Sequence, residues 1–120
     1  MNRDRDLFLV PVGGTFPVPE IERFVETLPH TFRDPKNEHV FLLSASEDLA
    51  DYNRRKNLED PDAYPSSATL IKVYPARIDV SWRRRPPEQA RTFVLWMRDH
   101  YALRIEDEED NELDLEALFA

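Results

Sequence analysis

An α+β fold, with a mainly antiparallel sheet covered by two principal helices in a two-layer sandwich, is predicted by three features of the sequence. Short β-rich runs recur along the chain, two segments carry apolar residues at helical spacing, and 120 residues without a cysteine suit one hydrophobic core rather than a disulfide scaffold. The expected order is βαβ(α)ββαβ, with residues 1-105 as a single domain and 106-120 as an acidic C-terminal extension ending in a short amphipathic helix.

The first strand is expected at Leu7-Phe8-Leu9-Val10-Pro11-Val12, where Pro11 lacks an N–H for a ladder and places the strand at an edge or ends it there. Gly13 and Gly14, the only glycines, make a turn, and Pro19 suits the first position of a helix. Ile21, Phe24, Val25 and Leu28 follow at i, i+3, i+4 and i+7, the stripe of a helix lying on a core. Pro29 to Glu38 reads as loop, and His39 to Leu43 as a buried strand. Ser44 and Glu47 have capping-box spacing, so a weaker helix is expected from Ser46 to Lys56, with Leu49 and Tyr52 on one face. Asn57 to Ser67 reads as an exposed loop rich in proline and serine.

Ala68 to Tyr74 and Arg77 to Trp82 alternate as strands around Pro75-Ala76 and predict a hairpin. Ala90, Phe93, Val94, Met97 and Tyr101 mark the apolar face of a third helix, the strongest in the chain, and Leu103 and Ile105 a last strand. One arrangement these elements allow is a split βαβ unit similar to that of the ferredoxin-like superfold, a likeness of fold that carries no function.

Charge is the most asymmetric property. Glu106 to Glu116 carries eight carboxylates and no base, and removing those eight from the 24 acids leaves 16, equal to the 16 Lys plus Arg. A neutral domain with an anionic extension favours a basic protein partner over nucleic acid or an anionic membrane. The first apolar run is too short for a signal-peptide core and no run approaches the roughly 18 residues of a membrane span, so a cytoplasmic protein is expected. In size and charge alone the chain is similar to bacterial immunity and antirepressor proteins.

No spacing typical of a catalytic site occurs. Gly13 and Gly14 follow a strand and precede a helix, as in phosphate-binding turns, but no GxGxxG or GxxxxGK[ST] pattern is present and a plain turn is preferred. His30, His39 and His100 lack local metal-ligand spacing. Glu47, Asp48 and Asp51, with Asp60 and Asp62 beyond, do not match an EF-hand loop, and the first three suit a helix N-terminus. Ser44 and Ser46 lie in no nucleophile elbow. No metal and no cofactor is expected.

Two sets of candidate residues remain. On the third helix, Leu95 projects about 140° and Trp96 about 240° from Ala90, both off the main stripe. With Glu108, Glu109, Asp110, Leu115, Leu118 and Phe119 of the extension they form the candidate protein-binding surface, through which the chain would occlude or regulate a basic partner. Gly13, Gly14, Arg83, Arg84 and Arg85 form a candidate anion-binding set. They carry the alternative expectation of a small enzyme or ligand-binding protein for an anionic metabolite.

Overall fold

A computed structural model describes residues 5–60, 64–83, 85–109 and 112–113. The chain forms β1 (Arg5–Pro11), α1 (Val18–Glu26), β2 (Thr31–Arg33), β3 (Val40–Leu43), α2 (Glu47–Glu59), β4 (Thr69–Val73), β5 (Ile78–Trp82), α3 (Glu88–His100) and β6 (Leu103–Glu106). The strands make one sheet in the order β2-β3-β4-β5-β1-β6, with every neighbouring pair antiparallel. This is the predicted α+β class. Since β1 lies between β5 and β6 and is antiparallel to both, β5-α3-β6 is a split βαβ unit around β1.

The main core lies between one sheet face and helices α1 and α3. Leu7 and Leu9 of β1, Ile71 and Val73 of β4, and Ile78 and Val80 of β5 point inward and meet Ile21 and Val25 of α1 and Phe93, Val94 and Met97 of α3. All of these side chains are fully buried, as expected from the period-2 and period-3.6 patterns. At ~25 cal/mol per Å2 of apolar surface removed from water, each large side chain contributes about 1.5–3 kcal/mol. On the opposite face, Val40, Leu42 and Ala68 form a smaller cluster with Phe32, Tyr64 and Leu70.

Several local expectations change. Thr31 to Arg33 is a strand inside the segment read as loop, paired with Leu43 to Phe41, and three residues are too few for an alternation to register. β1 is an inner strand; it satisfies Pro11 by ending there, opposite Leu103. α2 extends beyond Lys56 to Glu59, and its N-cap is Ser46, whose hydroxyl accepts from the Leu49 amide at 3.2 Å.

Ser44, expected to cap α2, is instead buried. Its hydroxyl accepts from Asn53 Nδ2 at 2.9 Å, while its carbonyl accepts from Gln89 Nε2 at 2.6 Å. The buried face of α2 therefore consists of Ala50, Asn53 and Asn57 rather than Leu49 and Tyr52, and Tyr52 is 44% exposed. A helix docked through amides and hydroxyls has no apolar stripe to detect.

Candidate functional site

Sheet register decides which candidate residues meet. Arg5 is opposite Trp82, so Arg83 leaves the sheet at the end where β1 begins, whereas Gly13 and Gly14 follow Pro11 at the other end. Six residue steps of ~3.3 Å put about 20 Å between those ends of β1. The structure thus does not bring the glycine turn to the arginines. Gly13 and Gly14 are exposed with φ of +74° and +90°, angles at which glycine avoids the Cβ penalty of other residues. Arg84 lies outside the described residues.

The acidic segment leaves the sheet at the arginine end. β6 finishes at Glu106 and the chain reverses, so that Glu106 bridges to Glu112 and the Leu113 amide donates to the Ile105 carbonyl at 2.8 Å. Within this turn the Glu109 amide donates to the Asp107 carboxylate at 2.9 Å, an Asx turn, and the Asp6 amide of β1 donates to Glu108 Oε1 at 2.9 Å. Leu113 packs against the main core. The first half of the acidic run is therefore held against the sheet edge by backbone bonds and one apolar anchor. Asp110, Leu115, Leu118 and Phe119, and with them the expected terminal helix, lie outside the described residues.

Glu108 also enters a cleft of about 210 Å3 whose other walls include Arg5, Asp6, Tyr64, Leu70, Ser81 and Arg83. A second depression of about 610 Å3 begins on the far side of Arg83 and Ala68, which line both, and continues to Arg85, Pro86 and Pro87. Candidates from both sets, Glu108 with Arg83 and Arg85, thus share one end of the molecule. Ser66, Ser67, Thr69 and Ser81 join them there without having been singled out in the sequence. Strand register alone assembles them, and no local spacing announces it.

Tyr64 forms the wall between this end and the smaller core. Its hydroxyl donates to Asp34 Oδ2 at 2.6 Å, and the same carboxylate accepts from the Lys36 amide at 3.0 Å. Asp34 is 2% exposed, so two hydrogen bonds compensate a carboxylate withdrawn from water. Burial, and then the Asp34 hydrogen bond and charge, push the Tyr64 phenol up to about 12.

Leu95 and Trp96 are engaged within the fold. Both pack against the main core, and the Trp96 ring stacks on Phe24 at 4.1 Å with 5° between planes and on His100 at 4.4 Å. Tyr101 meets the same indole edge-on at 5.7 Å. Trp96 thus lies at the α1–α3 seam through Phe24. His39 sits 3.3 Å from Glu22 and 3.6 Å from Glu38. Among the described residues no group of three His, Asp or Glu side chains has the geometry of a metal site.

The fold and site define an α+β domain with an ordered acidic turn at one sheet edge. Comparison with protein-family models, with curated proteins and with solved structures finds no match. No helix among the described residues is long and apolar enough to cross a membrane.

Proposed function

We propose that this chain is a protein-binding module that docks a basic protein partner on the acidic turn beside β6 and thereby occludes or regulates it, as immunity and antirepressor proteins do. One observation carries the reading: Glu106, Asp107, Glu108, Glu109 and Glu112 are gathered on a turn tied to Ile105 and to Asp6 by hydrogen bonds. A recognition segment already ordered before binding avoids much of the conformational entropy cost of ordering on contact. Clustered carboxylates on one edge of an otherwise neutral domain also steer a cationic surface into register and repel nucleic acid.

Glu109 and Glu112 are exposed, and the hydrogen bonds that hold the turn run through the Asp107 and Glu108 side chains and through backbone groups. Glu109→Gln/Glu112→Gln therefore removes charge and keeps the turn. The test is capture from source-cell lysate on immobilised wild-type and double-variant protein at about 50 mM and about 500 mM salt, which moves the Debye length from roughly 14 Å to 4 Å. A basic protein should be held by the wild type at low salt and released at high salt. The double variant should bind the purified partner about fivefold to tenfold more weakly, since exposed charge pairs contribute up to about 1 kcal/mol each. Equal binding by both proteins, or capture insensitive to salt, contradicts the reading.

A further inference from the structure

We infer that the groove between the Tyr64–Ala68 loop and the start of α3 is a binding site for a phosphate monoester attached to an apolar or planar body. Its location differs from the acidic turn, and it does not depend on the reading above. Three chain segments converge there because of the antiparallel register. Thr69 opens β4 opposite Leu43, Arg83 follows the last residue of β5, and Arg85 leads into α3. The Ala68 amide closes a turn on the Pro65 carbonyl at 3.1 Å, which presents Ser66 and Ser67 at its corners.

The chemistry of the lining is one-sided. Arg85 supplies a guanidinium group, as does Arg83, which also lines the cleft of Asp6 and Glu108, and Ser66, Ser67 and Thr69 supply hydroxyls, while no carboxylate is among the described residues that line this groove. In a chain of net charge −8, a groove whose charged side chains, among the described residues, are arginines is the feature an oxyanion selects. Ser67 donates its one proton to Asn53 Oδ1 at 2.6 Å and so builds the wall, which leaves Ser66 and Thr69 as the hydroxyl donors for an oxyanion. The remaining lining, Leu43, Ala45, Ala68, Pro86 and Pro87, is apolar. The volume of about 610 Å3 exceeds that of a bare phosphate and falls within the range of small-molecule sites.

The test is a titration of the full chain with adenosine 5′-monophosphate, inorganic phosphate and adenosine, read by amide chemical shifts and by thermal shift. The nucleotide is expected to move the amides of Ser66, Ser67 and Arg85 and to raise the melting temperature, with inorganic phosphate weaker and adenosine without effect. Arg85→Ala, a change at an exposed position that leaves the core intact, should weaken nucleotide binding about tenfold, the loss of one charge-assisted hydrogen-bonding group. Arg98→Ala, near the far end of α3, should bind as the wild type does. The assignment is overturned if millimolar nucleotide moves none of the three amides, if Arg85→Ala titrates as the wild type, or if phosphate binds as tightly as the nucleotide.

Discussion

Tyr64 and Asp34 show how a single buried pair fixes a wall of the site. Because the Asp34 carboxylate is almost wholly withdrawn from water, removing its phenolic donor leaves acceptor capacity that, among the described residues, the Lys36 amide alone serves. Tyr64→Phe is expected to cost about 1.5–3 kcal/mol in denaturant unfolding at neutral pH. The same contact sets a pH dependence. The folded-state pKa of Tyr64, about 12, lies above the ordinary value of 10.0, so its contribution is fully present below pH 10 and is lost as pH rises from 10 toward 12. Burial, and then the nearby Glu20, also raise Tyr101, so the alkaline loss has two sources. Stability profiles of wild type and Tyr64→Phe between pH 9 and 12 isolate the first, and the variant should lose less. At the other end of β1, a Cβ at Gly14 would meet no atom within 4 Å, yet its φ is +90°. Gly14→Ala should therefore cost about 1 kcal/mol through the backbone alone, without a packing change.

At the scale of elements, the α1–α3 seam is held by aromatic stacking that reaches from the main stripes to Trp96. Phe24 touches both Phe93, at 6.4 Å, and Trp96, at 4.1 Å, so one ring ties the two helices over the sheet. Trp96→Ala should lower stability by about 2 kcal/mol, and Trp96→Phe by less, in equilibrium unfolding. If instead Trp96 serves an external partner and not the seam, its removal would leave stability unchanged. The helices and long strands were legible because Ile21, Val25, Phe93, Val94 and Met97, and the alternating Ile78, Val80 and Trp82, follow the periods of their elements. β2 was not, because three residues define no period. The docking face of α2 was not, because Asn53 and Asn57 are buried where a polar residue is ordinarily read as exposed. For the site, the basic cluster and the acidic run stood out by charge, but the turn that ties the acidic run to β1 did not. Its bonds run through the backbone of Asp6 and Ile105, which carries no side-chain signature.

Across the whole molecule, charge and topology act together. β1 brings Asp6 beneath Glu108, β5 delivers Arg83 to the same end, and α3 begins there, so one end of the sandwich carries an acidic turn and a basic groove side by side. The central claim is that Glu106 to Glu109, with Glu112 and Leu113, are held at the sheet edge. Amide hydrogen exchange at Leu113 and Asp6 tests it most directly, because both N–H groups are donors in the bonds that hold the turn. We predict slowed exchange at both amides in the wild type, with Asp6 becoming faster in Glu108→Ala, which deletes its acceptor. Exchange at Leu113 and Asp6 as fast as in an unstructured peptide would contradict the account.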